Sequence, residues 1–424
     1  MGGKNATWQE ALEFLQENSG CVFVHGKAGT GKSTLLTQYR LNTTKNCITV
    51  APTGVAALHV GGETIHSCFG FAPSVSVPRA RKEANFSQKK KLFKELHTLI
   101  IDEISMVRAD LLDCIDVFLR AVRKDERPFG GVQVLMFGDL YQLPPIIKFD
   151  EMEAFKKLYA SEYFFDAQVI KRLREFNLLH RVELEHVFRQ KDADFLELLH
   201  AIREKSIEQY HFEMLHERVF SMTDRDTLIL TGRNDNAKTI NEQRLNELGT
   251  KAVRFPSKTT GKFDDKNAPT ETDLVLKVGA RVMFVANDTQ NGLYVNGTLG
   301  SVKDIIDRRV MVQTDDGKTI EVMPHTWTMY ETVFDEEKNA LDQKQRGTFV
   351  QLPLKLAYAV TIHKSQGKTF DKLHIDLGSG AFANGQTYVA LSRATSLQGI
   401  TLARPLRPRD VMVDDRVRVF LESV

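Results

Sequence analysis

Gly26 to Ser33 reads GKAGTGKS, a G-x-x-x-x-G-K-S run that follows directly on the apolar stretch Cys21-Val22-Phe23-Val24. Glycines at such spacing let backbone N–H groups wrap a phosphate, and a helix opening near Lys32 adds its partial positive charge. In this pattern Lys32 holds the β- and γ-phosphates of a nucleoside triphosphate, and Ser33 offers its hydroxyl to Mg²⁺. Gly26, Ala28, Gly29, Thr30, Gly31 and Thr34 complete the candidate nucleotide-binding set. Leu99 to Ser105, LIIDEIS, is an apolar strand ending in two adjacent acids. Asp102 is placed to serve a Mg²⁺ ion through water, and Glu103 to orient and deprotonate an attacking water. Together the two motifs predict hydrolysis of ATP or a near relative.

A third strand-end motif is Phe137 to Pro145, FGDLYQLPP. Gln142 is uncharged and can bond a γ-phosphate oxygen and a backbone group at once, which suits a sensor of nucleotide state. Arg189 in VFRQ and Arg393 in ALSRAT lie in the second half of the chain. Taken alone, they read as surface salt-bridge arginines. A guanidinium that reaches a γ-phosphate would instead stabilise charge developing in the transition state.

These motifs need elements to carry them. Four short apolar runs, at Cys21–Val24, Ile48–Ala51, Leu99–Ile101 and Val132–Phe137, each end in a polar or glycine-rich loop. Such runs alternate with helical stretches, the pattern of a parallel sheet covered by helices, whose ligands bind at the carboxyl ends of the strands. A second strand–helix series starts at Thr227–Leu230 and resumes at Tyr358–Ile362. Between them, short strands at Arg281–Phe284, Thr298–Val302, Arg309–Gln313 and Thr319–Val322 suggest an inserted β-barrel. Asp316-Gly317 is a hairpin turn within it.

At 424 residues the chain is long enough for two or three domains, because one core rarely grows past roughly 250–300 residues. No apolar run approaches the ~20 residues that span a membrane, and Met1-Gly2 is followed by Ala6 where a myristoylation signal needs Ser or Thr. The cytosol is the expected compartment. Cys21, Cys47, Cys68 and Cys114 form no C-x-x-C pair, so they are read as buried thiols rather than zinc ligands. A net charge of +2 neither supports nor excludes nucleic acid, since a motor that releases its track at every step needs only a local basic path. The basic stretch Arg79 to Lys94 is either a solvated helix face or a small inserted subdomain that touches phosphates.

Nearly the whole chain resembles the PIF-family (petite integration frequency) helicases of the 5′-to-3′ branch of superfamily 1. APTGVAALHVGGETIHSCFGF (Ala51 to Phe71), RAVRKDERPFGGVQ (Arg120 to Gln133), GDLYQLPP, VFRQ, LYVNGTLG (Leu293 to Gly300), AVTIHKSQGKTF (Ala359 to Phe370) and YVALSRAT (Tyr388 to Thr395) occur in the family's order. The resemblance implies two RecA-like α/β domains. The first spans residues 1–180, with a wedge insertion at about 72–92, and the second spans 181–280 plus 350–424. An SH3-like β-subdomain is inserted at 281–349.

It further implies that Arg189 and Arg393 face the γ-phosphate, that Gly367 faces the nucleotide, and that Gln9 reads adenine. Pro52, Thr53, His66 and Phe71 in the first domain, and Asn234, Asn296, Gly297, His363 and Lys364 in the second half, would contact single-stranded DNA. The expected protein is a compact, bacterial-type monomer near the nucleoid. It would use ATP and Mg²⁺ to translocate 5′ to 3′ on single-stranded DNA, unwinding duplex and, by resemblance, G-quadruplex DNA in replication, repair or recombination. The alternatives are a DNA-stimulated translocase that unwinds little, a P-loop switch without motor activity, and an RNA substrate.

Overall fold

The computed structural model describes the chain except residues 1–3, 6, 73–74, 148–150, 189–191, 221–226, 264–267, 289–290 and 336–339. Two compact units result: Met1–Arg189 with Met329–Arg346 and Asp414–Val424, and Gln190–Thr328 with Gly347–Val413.

The first unit is built on seven strands, β1 (Lys4–Asn5), β2 (Cys21–Gly26), β3 (Cys47–Ala51), β4 (Glu63–Thr64), β5 (Thr98–Ile101), β6 (Gln133–Gly138) and β7 (Leu179–Leu184), in the order β1-β7-β2-β6-β5-β3-β4. Every pairing is parallel. The central strands β2, β5 and β6 are buried along their whole length, which is why their sequences run apolar without alternation. Helices Trp8–Glu17 and Lys32–Asn42 cover one face through Ala11, Leu15, Leu35, Leu36 and Tyr39. A buried polar cluster in this layer is satisfied: Tyr39 donates to Gln133 Oε1 at 3.1 Å, and Gln133 Nε2 donates to the Leu15 carbonyl at 2.9 Å.

Residues Val77–Phe86 and Lys90–Lys94 are helices that dock through Ala80, Ala84, Leu92 and Phe93, with the Val77–Phe86 helix packed on helix Ala109–Arg123. Arg79, Arg81, Lys82, Lys90 and Lys91 stay exposed. The segment Arg120–Gln133 holds this region down, because Arg123 donates to the carbonyls of Phe93, Lys94, Leu96 and Gly130. A turn with Phe129 at φ 53° and Gly130 at φ 63° accompanies it. A Cβ on Gly130 would lie 2.8 Å from the Leu119 carbonyl.

The expected boundary at residue 180 cuts through β7, a strand of the first sheet. The expected assignment of the C-terminus to the second domain also differs from the structure. Helix Asp415–Glu422 belongs to the first unit, where Phe420 stacks on Phe165 at 4.6 Å and meets Phe164 edge-on. The first join is a backbone pairing of β7 with β2 and the second a long-range aromatic contact, and no local pattern announces either.

The second unit holds a four-stranded parallel sheet in the order Ala359–Thr361, Leu228–Thr231, Leu373–Asp376, Ile400–Leu402. It also holds a five-stranded antiparallel sheet in the order Thr319–Val322, Arg309–Thr314, Leu299–Ile306, Arg281–Phe284, Leu354–Leu356. Phe255, Leu274, Leu276, Val282, Phe284, Val302, Val310, Val312, Ile320 and Leu354 form its core. The β-rich region therefore begins near Val253, earlier than the expected 281, and runs past 349. Asp316-Gly317 forms the predicted hairpin, with Gly317 at φ 88° and its N–H donating to the Thr314 carbonyl at 2.9 Å.

Candidate functional site

The carboxyl ends of β7, β2, β6 and β5 are adjacent in the sheet, and each carries one of the chemical motifs. Gly26 ends β2 under tight constraint, because a Cβ there would lie 2.5 Å from the Leu184 carbonyl at the end of β7. Gly29 and Gly31 adopt φ of 83° and 82°, conformations open to glycine at no steric cost. Gly31 caps helix Lys32–Asn42, leaving that helix's first N–H groups directed into the loop. Lys32 folds back over the loop, donating to the carbonyls of Gly26 at 2.8 Å and Lys27 at 3.0 Å. Thr30 Oγ1 donates to the Lys27 carbonyl at 3.0 Å. Ala28 and Thr30 are buried, whereas Ser33 and Thr34 are exposed.

Asp102 and Glu103 follow β5, one strand removed from β2. Asp102 is 6% exposed, and burial raises its pKa to about 6 despite the lowering influence of the Glu103 N–H and of the Lys32 charge. A carboxylate held in so dry a place with a lysine for company suits a hard divalent cation, and the Ser33 hydroxyl offers a second oxygen. Among the described residues, no group of three or more His, Cys, Asp or Glu forms an all-protein metal cluster. Glu103 adopts φ 50°, ψ 46°, a left-handed conformation that costs a non-glycine residue roughly 1–2 kcal/mol. Strain of this kind concentrates at functional positions.

Gly138, at the end of β6, packs on the turn after Glu103. A Cβ on Gly138 would lie 2.8 Å from Ile104 Cγ2 and 3.2 Å from the backbone nitrogens of Ile104 and Ser105. Gln142 is buried, with its N–H donating to the Asp139 carbonyl at 3.0 Å. Beyond β7, the Phe188 N–H donates to the Gly29 carbonyl at 2.9 Å, and the ring lies 3.7 Å from the Cβ position of Gly31. That ring is 61% exposed and lies 4.4 Å from the His186 ring. In the sequence, Phe188 is marked only as a lone aromatic beside the motif arginine Arg189. Arg189 itself lies outside the described residues. Gln9 is exposed on helix Trp8–Glu17, with its amide turned to Glu13 at 3.4 Å.

The first-unit DNA candidates follow β3 and β4, whose register sets Ala51 beside Thr64, so Pro52 and Thr53 lie next to His66. Thr53 caps helix Gly54–His59 by accepting from Ala56 N–H at 3.2 Å. His66 is partly buried, and burial together with the nearby Arg108 charge lowers its pKa. Phe71 is a correction: it is 5% exposed and packs with Phe69 and Phe118 at 5.4 and 5.6 Å. A ring enclosed in an aromatic core has no face left for a base.

In the second unit, Thr231 pairs with Thr361, which sets the exposed Asn234 beside His363 and the exposed Lys364. Gly297, at φ 105°, donates to the Phe284 carbonyl at 2.9 Å and lies against Lys368 and Thr369. Among the described residues, Asn296 Oδ1 is buried without a hydrogen-bond partner. Arg393 is 1% exposed; it donates to the carbonyls of Val389 at 3.0 Å and Lys368 at 3.3 Å, and to Ser392 Oγ at 2.9 Å. Lys368 is the residue after Gly367, so these two candidate nucleotide contacts are brought together. Gly367 is in the left-handed region with open space around it. The four cysteines are free, and among the described residues no helix is long and apolar enough to cross a membrane.

Comparison with known proteins places this arrangement. Residues 5–212 match the model of the PIF1-like helicases. The chain is 33% identical over 425 residues to the ATP-dependent DNA helicase Pif1 of Bdellovibrio bacteriovorus, covering 97% of this chain and 90% of that protein. It is 36% identical to the human ATP-dependent DNA helicase PIF1, of whose length it spans 61%. Bacteroides Pif1 solved with ADP-AlF4 superimposes with a TM-score of 0.90 at 37% identity, covering 98% of this chain and 96% of that one. A Bacteroides Pif1 bound to single-stranded DNA gives 0.70 at 38% identity, covering 98% of this chain and 96% of that one.

Proposed function

The chain belongs to the PIF1-like helicase family, and from that premise we propose that it is an ATP-dependent DNA helicase moving 5′ to 3′ on a single strand. The observation that carries the reading is the convergence of Lys32, Asp102, Glu103 and Gln142 on adjacent strand ends of one sheet. Pro52, Thr53, His66, Asn234, His363 and Lys364 follow parallel strands of their own unit, where ligands of such sheets bind, whereas Asn296 and Gly297 precede a strand of the antiparallel sheet.

In this reading the loop N–H groups of Gly29 to Ser33 bind the β-phosphate, and Lys32 exchanges its carbonyl partners for the β- and γ-phosphates. Ser33 and Asp102 would hold Mg²⁺, which supplies charge neutralisation on the phosphates. Glu103 takes the proton of the attacking water, and Gln142 couples γ-phosphate occupancy to the Gly138 turn. Arg189 and Arg393 contribute charge to the γ-phosphate, Gly367 approaches the nucleotide by its backbone, and Gln9 selects adenine. The exposed Phe188 ring suits stacking on the base.

Pro52, Thr53, His66, Asn234, Asn296, Gly297, His363 and Lys364 offer small polar and cationic groups without base-edge specificity, which fits sequence-blind grip of a single strand. The antiparallel sheet fits the SH3-like insertion, and the basic helices at 77–94 fit the wedge. Bacteroides Pif1, solved with a nucleotide analogue and with single-stranded DNA, supports the same partners here. G-quadruplex resolution and a monomeric, nucleoid-associated working state belong to the same proposal.

ATP hydrolysis with and without oligothymidylate tests it. Stimulation of at least tenfold by the single strand, lost in Lys32→Ala, is expected. Hydrolysis indifferent to DNA would remove the motor reading.

A further inference from the structure

Unit two gathers three lysine side chains for which the proposed mechanism has only one use. Lys355 stands opposite Met283 in the antiparallel pairing of Leu354–Leu356 with Arg281–Phe284, so both side chains leave the same face of the sheet. The Lys368 amine reaches Met283 Sδ at 3.5 Å, which brings it to the face of the sheet that Lys355 occupies, and the two amines act on each other's protonation. Lys364 lies close enough for its charge to act on Lys355. Among the described residues none of the three makes an ion pair, and Glu271 is the one acid whose charge is felt at Lys355. The backbone of Gly297 closes the edge: a Cβ there would lie 4.0 Å from Lys368 Cβ and 3.9 Å from the Thr369 carbonyl.

Cationic groups held in mutual contact without a balancing carboxylate are tolerated when one stays neutral or an anion joins them. Both conditions have a counterpart here. We infer that Lys355 and Lys368, with Lys364 at the rim, form an anion subsite that takes a phosphodiester of the bound single strand beside Gly297. The inference rests on the DNA reading above and adds two residues to it that no motif names. The occupant is backbone phosphate because the Lys368 side chain starts beside Gly297 and Lys364 follows His363 on the same turn, and both neighbours are groups proposed to hold the strand.

The subsite has a proton signature. Burial lowers Lys368 to about 8 and, with the neighbouring lysine charges, pushes Lys355 well below the ordinary lysine range. The free pair is therefore short of protons near neutral pH, and an arriving phosphate favours the charged amines. Binding then takes up a proton, and affinity falls as pH rises through about 8. Charged or titratable groups on the surrounding elements include Lys364 and His363 on the 363–365 turn, Glu271, the Arg281–Asp315 ion pair, and Arg393, which donates to the Lys368 carbonyl. Burial lowers His363 as well, so it is neutral throughout that range.

The test is anisotropy of labelled oligothymidylate with the full chain, without nucleotide, titrated with salt at pH 7.2 and pH 9. Wild type should bind several-fold more weakly at pH 9. Lys368→Met should weaken binding roughly tenfold at pH 7.2 and flatten the log–log salt dependence by about 0.7, the value for one phosphate contact on a single strand. Lys368→Arg should restore the salt slope but not the pH dependence. Lys355→Met should weaken binding at pH 7.2 yet keep the fall through about pH 8, because burial rather than Lys355 lowers Lys368. Variants that match wild type in affinity, slope and pH profile would overturn the subsite alone. If inorganic phosphate at constant ionic strength displaces DNA no better than chloride, the DNA assignment stands. If it competes strongly through Lys368, free phosphate is the occupant and the assignment falls. A wild-type chain that binds no single strand would overturn the function reading, and the subsite with it.

Discussion

Gly138 and Ile104 are in direct contact: a methyl group on Gly138 would come within 2.8 Å of Ile104 Cγ2. The end of β6, which carries Gln142, thus rests on the turn that sets Glu103. Any movement of one strand end is felt at the other, because packed atoms at such distances cannot absorb it.

Gly138→Ala should push this turn and misplace Glu103. We expect kcat for ATP hydrolysis to fall about 10–100-fold, since small misplacements of a reacting group cost that much. The KM for ATP should stay within about threefold, because the phosphate loop on β2 is untouched. Steady-state kinetics checks both, and an unchanged kcat would show that the contact is slack.

Glu103 combines a chemical role with a strained backbone at φ 50°. Glu103→Gln should lower kcat at least 100-fold, the usual scale for loss of a general base, while nucleotide binding persists. Glu103→Gly should be equally inactive yet no less stable, gaining up to about 1 kcal/mol from relief of the left-handed conformation. Chemical denaturation alongside ATPase assays separates the two effects. An active Glu103→Gln protein would remove Glu103 from the mechanism.

Asp102 has its pKa raised from 3.8 to about 6 by burial, so in the absence of Mg²⁺ the folded state is penalised wherever Asp102 is ionised. The folded state binds the proton more tightly than the unfolded state, so this penalty is complete above pH 6. It fades as pH falls toward 3.8. Asp102→Asn should therefore stabilise the magnesium-free protein by about 2–3 kcal/mol at pH 7–8, with the gain vanishing near pH 4. ATP hydrolysis should be lost. Denaturation midpoints across pH check the window, and a variant less stable at pH 8 would contradict the account of burial.

Phe188 lies against the phosphate loop with most of its ring exposed. Phe188→Ala should raise the KM for ATP by about 5–100-fold, matching roughly 1–3 kcal/mol of base stacking. Its effect on kcat should be small. Equal losses with ATP and with inorganic tripolyphosphate would show that the ring does not act on a base.

The phosphate loop, the acidic pair and the strands carrying them were legible because their signals are local. A run such as Leu99–Ile101 is apolar because both faces are covered, and its polar stop marks the strand end. The unit boundaries were not legible, since β7 joins the first sheet by pairing with β2, and helix Asp415–Glu422 joins through Phe420 against Phe164 and Phe165, all of them partners distant in sequence. Phe71 misled for the same reason. Its motif position suggested DNA, but Phe69 and Phe118 enclose it, and only the fold brings them together. Arg393 was legible as a motif residue, whereas its burial among the carbonyls of Val389 and Lys368 was not.

The central claim is a directional, ATP-driven helicase, and strand separation on two tailed duplexes tests it most directly. One duplex carries a 5′ single-strand tail and the other a 3′ tail, each with ATP and Mg²⁺, with Lys32→Ala as the matched control. The account predicts unwinding of the 5′-tailed duplex alone, abolished by Lys32→Ala. Unwinding from the 3′ tail only, or none from either while oligothymidylate still stimulates ATP hydrolysis, would contradict it.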